Sequence, residues 1–171
     1  FDDGSQLIFN DARKFGWWRE LKNTAALEKQ FGPEALEIGL KTLRDNLKKR
    51  PNTKIKPLLM DQKFIAGIGN IYSDEILFAS KVHPLKRVKT LKDEEVRSIH
   101  QNIKKILQEA IKLRGTSERT YVDAYGKKGD YLRRLKVYQK EGEKCFRCGT
   151  IIKRIKMGGR SAHFCPKCQP L

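Results

Sequence analysis

Apolar positions recur with helical spacing through the middle of the chain. Leu36, Leu40, Leu43 and Leu47 lie three and four apart, so one face of a helix is apolar and the other charged. Pro33 after Gly32 suits the first turn of that helix, and "KKRP" its basic end. A second helical segment is expected over 55–66. A third is expected from Asn70 to about Val82, stopping near His83-Pro84. The longest follows "TLKDEEV", with Thr90 as the cap and Asp93 answering it in a capping box. Val96, Ile99, Ile103, Ile106, Ala110 and Leu113 mark its buried stripe. Residues 22–114 therefore read as helical.

The two ends carry a different pattern. "SQLIF" after the turn former "DDG", and "FGWWREL" after the polar break "NDARK", read as short strands within residues 1–21. Two strands alone are marginal in water, so they are expected to be the tail of a larger sheet domain. Residues 115–140 form a polar, glycine-bearing loop with seven Lys and Arg. Loops of that length are usually functional or mobile. Residues 141–171 hold every cysteine. The fold class expected is mainly α with small β parts, and the divisions are 1–21, 22–140 and 141–171.

Charge narrows the partner. Thirty-seven Lys and Arg against twenty Asp and Glu leave +17 on 171 residues. Such an excess repels itself in a compact chain and is matched most often by a polyanion such as nucleic acid. No basic amphipathic helix carries aromatic anchors, and no apolar run reaches membrane length, so a membrane partner is not expected. No signal peptide is read, the chain begins at Phe1 rather than Met, and a cytoplasmic monomer is expected.

The four cysteines fall as "CFRC", Cys145 and Cys148, and "CPKC", Cys165 and Cys168, with sixteen residues between the pairs. Two CxxC knuckles suit one tetrahedral zinc, structural because all four positions are filled. Two disulfides or a redox pair are the competing readings. Redox motifs seldom come as two pairs at this spacing, and so small a module has too little core to fold without a staple. Between the knuckles, "TIIKRIKMGGRSAHFC" reads as a hairpin turning at Gly158-Gly159. Lys153, Arg154, Lys156 and Arg160 make it basic, which favours phosphate contact. Its core is expected to be separate from that of the helices. His83, His100 and His163 read as structural or exposed.

"FIAGIGNIYSDEI" places Gly67, Gly69 and Asn70 at a helix start. A helix N-terminus offers unpaired N–H groups and partial positive charge. Gly67 and Gly69 remove side chains that would hold an anion away, and Asn70 can cap the helix or donate to the anion. Taken alone, the stretch also fits an ordinary turn with an Asn cap. It is not the dinucleotide fingerprint, because the third glycine is missing.

"LLMDQKFIAGIGNIYSDEILFASKVHP" closely resembles the helix-two-turn-helix segment of bacterial formamidopyrimidine-DNA glycosylases. "DARKFG" resembles that family's DNA-intercalating loop, and "GGRSAHFCPKCQ" the end of its zinc finger. The three occur in the family's order. The resemblance implies a helix-two-turn-helix bundle and a C-terminal β-hairpin zinc finger, preceded by the last strands of a truncated β-sandwich. It implies DNA base-excision repair: damaged duplex DNA is bound with a nucleotide extruded. The complete protein would cleave the N-glycosidic bond of oxidised purines and follow with β,δ-elimination.

By resemblance, Asn70 and Arg160 grip the phosphates around the extruded nucleotide, with Gly69 beside them. Arg160 is also the proton donor for δ-elimination. Lys56 binds phosphate, Arg13 reads the orphaned base and Phe15 is the wedge that enters the stack. "GTSERTYV", with Glu118, Arg119, Thr120 and Tyr121, resembles the loop that closes over an oxidised purine. The sister family, endonuclease VIII, acts on oxidised pyrimidines and is the alternative. A non-catalytic zinc-ribbon DNA-binding module is another.

The family's nucleophile is an N-terminal proline amine followed by glutamate, and Phe1 is not proline. No lysine reads as desolvated enough to replace it. The chain alone is therefore expected to be inactive, with duplex DNA carrying oxidised or abasic sites as its partner.

Overall fold

The computed structural model describes residues 1–11, 14–116 and 126–171. Among these residues five α-helices run in order: α1 Ala25–Glu28, α2 Leu40–Lys48, α3 Ile55–Leu59, α4 Asn70–Ala79 and α5 Asp93–Lys112. A single antiparallel hairpin follows, β1 Lys153–Met157 and β2 Arg160–Phe164, pairing Lys153 with Phe164 and Met157 with Arg160. The mainly helical class with a small β part is what the periodicity and the cysteine module imply.

Several boundaries differ from the sequence reading. Helix α2 starts at Leu40, not at Pro33. Backbone donors and acceptors around Pro33 are spent sideways: Ala66 N–H donates to Pro33 O and Ala35 N–H to Ala66 O, each at 3.0 Å. Gly32 lies so close to the Phe64 backbone that a Cβ there would sit 2.6 Å from its carbonyl carbon. Helix α3 ends at Leu59 because Asp61 and Gln62 take over the following donors. Asp61 Oδ1 accepts from Lys63 N–H at 2.9 Å. Helix α4 ends at Ala79, three residues before Val82.

The cap of α5 lies two residues later than Thr90. Thr90 closes a 3-10 turn, Val88–Thr90, and donates its hydroxyl to Arg87 O at 2.8 Å. Lys92 is the N-cap, and the Glu95 carboxylate accepts its N–H at 2.8 Å. Only this half of a capping box is chemically open to a lysine, whose ammonium has no acceptor. The stripe of α5 packs as its spacing requires, with Ile99 and Ile103 fully buried.

The expected strands of 1–21 are absent among the described residues. A strand needs a neighbour for its N–H and C=O groups, and none is at hand. Leu7, Ile8, Trp17 and Trp18 are exposed.

The helices share one core, from Ala35 through α2–α5 to Leu135. The zinc module has a second core of its own, as expected, but a residue of α4 lines it. Phe78 of α4 and Val137 pack with Cys145, Ile152 and Cys165, so α4 is a wall of both cores. Every residue of α4 from Ser73 to Phe78 is buried. A helix covered on all sides must pair any charge it carries, and α4 carries Asp74 and Glu75.

Candidate functional site

The glycine turn is built by one side chain. Gln62 Nε2 donates to Met60 O at 3.1 Å and Ile68 O at 2.9 Å, while its Oε1 accepts from Gly67 N–H at 2.9 Å. Gly67 has φ +93°, a conformation that favours glycine. Its amide is thus committed to the turn, and conformation explains this glycine better than anion access does. Gly69 is different: it is the N-cap of α4, in extended conformation, and a Cβ there would meet nothing within 4 Å. No side chain caps α4. Asn70 occupies the first helical position instead of the cap, and its Oδ1 is buried without a hydrogen-bond partner. An amide without a partner can turn its NH2 towards an incoming anion.

Arg160 opens β2, exposed, straight after the Gly158-Gly159 turn, where both glycines have positive φ. It lines a cleft of about 440 Å³ with Lys54, Lys56, Pro57, Met60 and Lys156. Asn70 lines a neighbouring cleft with Arg154, Ser161 and His163. The structure therefore places Arg160 and Lys56 together in one cleft, and Asn70 with Ser161 and His163 in another.

Between the clefts lies a buried polar network that the sequence reading missed. Lys56 Nζ pairs with Asp74 Oδ1 at 2.7 Å and donates to Ser161 O. Asp74 Oδ2 accepts from His163 N–H at 3.0 Å and lies 3.1 Å from His163 Nδ1. Lys56, which also lines the Arg160 cleft, is buried. Its side chain is 2% exposed, and its ammonium is held between the Asp74 carboxylate and Ser161 O. It also corrects the view that no lysine is desolvated: burial pushes its pKa down, while Asp74 opposes that shift. Its Nζ faces Asp74 and Ser161 O inside the protein, so it is not presented to an open site as a nucleophile would need to be. One residue on, the Glu75 carboxylate accepts three backbone N–H bonds from Lys136, Val137 and Tyr138 at 2.9–3.0 Å. Consecutive acids of α4 thus tie the hairpin and the approach to the first knuckle.

The four cysteine sulfurs converge, all within 4.8 Å of one another. Three of the Sγ–Sγ separations are 3.4, 3.5 and 3.9 Å, against about 3.8 Å for sulfurs on a tetrahedral zinc and about 2.0 Å for a disulfide. The donor set fits one structural zinc, which would staple the two knuckles. Gln169 ties this module back to the helices, donating Nε2 to Val82 O at 2.8 Å and accepting Cys165 N–H at 3.0 Å. Arg147 donates to Phe78 O at 2.7 Å, closing the end of α4. His163 and His83 are buried and His100 Nε2 lies 2.9 Å from Ile38 O, so all three are structural.

Phe15 is 79% exposed, its N–H bonded to Asp11 Oδ2 at 2.8 Å. Arg13 and the loop residues Glu118, Arg119, Thr120 and Tyr121 lie outside the described residues. No helix among the described residues is long and apolar enough to cross a membrane.

Residues 31–122 match the family model "Formamidopyrimidine-DNA glycosylase H2TH domain", and 142–171 match "Zinc finger found in FPG and IleRS". A formamidopyrimidine-DNA glycosylase of Heliobacterium modesticaldum is 46% identical over 98% of this chain and 62% of its own length. That of Listeria innocua is 45% identical over 99% of this chain and 64% of its own. Among solved structures, a complex of Lactococcus lactis Fpg with DNA containing an abasic site superposes at TM-score 0.78. It is 46% identical, over 85% of this chain and 54% of that one. MutM bound to DNA containing carbocyclic 8-oxo-G reaches 0.77 at 44% identity, over 85% of this chain and 53% of that one. The chain spans somewhat less than two thirds of the length of these relatives.

Proposed function

The chain belongs to the formamidopyrimidine-DNA glycosylase family, and from that premise we propose that it grips damaged duplex DNA in base-excision repair. The observation that carries the reading is the pair of clefts on either side of β2. One is lined by Lys54, Lys156 and Arg160, and the other is headed by the uncapped start of α4 and Asn70. Phosphate oxygens need charge-assisted donors on a surface that no side chain blocks. Arg160 and Lys156 meet that need at one cleft, and the N–H groups behind Gly69 at the other. Asn70 and Arg160 are the DNA contacts, Arg160 also being the proton donor for δ-elimination. Lys56 acts on phosphate from beneath, as the buried cation of the Arg160 cleft. Phe15 and Arg13 replace the stacking of the extruded nucleotide, and residues 118–121 close over an oxidised purine.

In the complete protein these parts serve N-glycosidic cleavage followed by β,δ-elimination. Residues 1–171 alone do not catalyse it. Attack on the sugar needs a deprotonated amine held at C1′. Arg160 offers a guanidinium and not an amine, Lys56 is buried against Asp74, and Phe1 is exposed on a segment without strand pairing among the described residues. The clefts are complete within one chain, which supports action as a monomer on nucleoid DNA. Divisions at 1–21, 22–140 and 141–171 remain a useful functional partition: wedge, helical grip with lesion loop, and zinc hairpin.

The test is binding to a duplex with one abasic site over a range of salt. A slope of log K against log salt of about −3 to −6 is expected for several phosphates. A salt-independent affinity, or none, would remove the reading. Base release from oxidised-guanine duplex by residues 1–171 alone would show that the nucleophile is misplaced.

A further inference from the structure

Among the described residues the hairpin has two strands and no other sheet partner, and a lone hairpin is marginal in water. Something must set its orientation. Its polar anchorage to α3 and α4 is the network centred on Asp74, which is 1% exposed. Lys56 reaches Asp74 from α3, His163 reaches it from β2, and Lys56 crosses to Ser161 O. Asn70 stands one helical turn before Asp74, and Arg160 is bonded directly to Ser161 in sequence. A buried ion pair is seldom more stabilising than a well-packed apolar pair of equal volume. What it adds is place: an ion pair at 2.7 Å and a backbone N–H bond to the carboxylate at 3.0 Å hold the hairpin at one position, whereas apolar contact would let it slide.

We infer that Asp74 is a positioning residue that fixes the hairpin's Arg160 against Asn70 at the head of α4, presetting the two as one grip. The inference rests on the DNA-binding reading of both residues. A preset grip has a thermodynamic signature. Losing either contact loosens the other, so the two substitutions together cost less than the product of their separate effects.

The experiment is a double-mutant cycle in the zinc-loaded 171-residue chain, reading affinity for an abasic-site duplex. In the parent, Asn70→Ala and Arg160→Ala should be coupled by about fivefold or more. In Asp74→Asn the coupling should vanish while zinc stoichiometry and cooperative melting persist, which a merely structural role would not produce. If Asp74→Asn does not fold, Lys56→Met/Asp74→Asn leaves no unpaired buried charge and carries the same test. Residual dipolar couplings of the DNA-free chain give an independent readout. Amides of β1–β2 and α4 should share one alignment tensor in the parent and lose it in the variant. Coupling and tensor both retained without Asp74 would overturn the positioning role. Failure of both single substitutions to weaken binding would overturn the DNA-binding reading instead, while the tensor still decides whether Asp74 orients the hairpin.

Discussion

Replacing Glu75 with alanine removes the acceptor of three backbone donors at once. Oε1 takes Val137 N–H at 3.0 Å and Tyr138 N–H at 2.9 Å, and Oε2 takes Lys136 N–H at 2.9 Å. The residue is 3% exposed. Each orphaned buried donor costs about 1–3 kcal/mol, so the gross loss is about 3–9 kcal/mol. Two effects offset part of it. Burial pushes the Glu75 carboxyl up in pKa, against the pull of the three N–H bonds, so its removal also relieves a desolvation cost. Water can also enter the space left behind. A net cost of about 3–5 kcal/mol is expected, as for breaking a buried charged contact. Glu75→Gln keeps an oxygen for Val137 and Tyr138 but turns an NH2 against Lys136 N–H, and should cost about 1–2 kcal/mol. Thermal unfolding of zinc-loaded protein followed by circular dichroism reads this as a fall of about 6–20 °C for alanine. The sign with pH is set by the raised pKa. The carboxyl's favourable contribution is complete below the ordinary carboxylate range and is lost as pH rises through the raised value. Wild type should therefore lose ground to Glu75→Gln as pH climbs. A cost below about 1 kcal/mol for alanine, or glutamine as harmful as alanine, would refute the reasoning.

Zinc removal should not stop at the finger: because Phe78 packs with Cys145 and Cys165, chelation should speed amide exchange in the second half of α4 as well as in 141–171. Unchanged protection of α4 would show that its contact with the zinc module's core does not stabilise the helix. His83 is pushed down in pKa by burial, with Nδ1 accepting Leu85 N–H at 3.1 Å. Its stabilising contribution is complete above the unfolded histidine pKa and is lost as pH falls through the depressed folded value. Stability measured by urea unfolding should thus decline from about pH 7 to pH 5, and less so in His83→Gln. Parallel curves for the two proteins would contradict this.

The long-period features were legible and the polar interior was not. Val96, Ile99, Ile103, Ile106 and Ala110 announce α5 because the helix is solvated on one side and dry on the other. The cysteine spacing announces the zinc site because a knuckle has only one economical geometry. Helix α4 has no wet face, so Asp74 and Glu75 read like ordinary surface acids. Their partners, Lys56, His163 and residues 136–138, are 18 to 89 positions away in sequence, and no local pattern points to them. One signal was present: "SDEILFA" is too apolar around its two acids for a solvated face, so the acids had to be paired. Gln62 is similar, since a turn with two glycines needs a side chain to fix it. The strands of 1–21 failed for the opposite reason: propensity was there, but the partners that make a strand were not.

The most direct measurement is competition between abasic-site and undamaged duplex of the same sequence for residues 1–171 at fixed salt. Wild type should prefer the abasic duplex. Asn70→Ala and Arg160→Ala should each lose about 1–3 kcal/mol of abasic-site affinity, the cost of a lost charge-assisted or buried polar contact, and most of the preference. Undiminished preference in both variants would contradict the claim that the head of α4 and the mouth of the hairpin form the grip on damaged DNA.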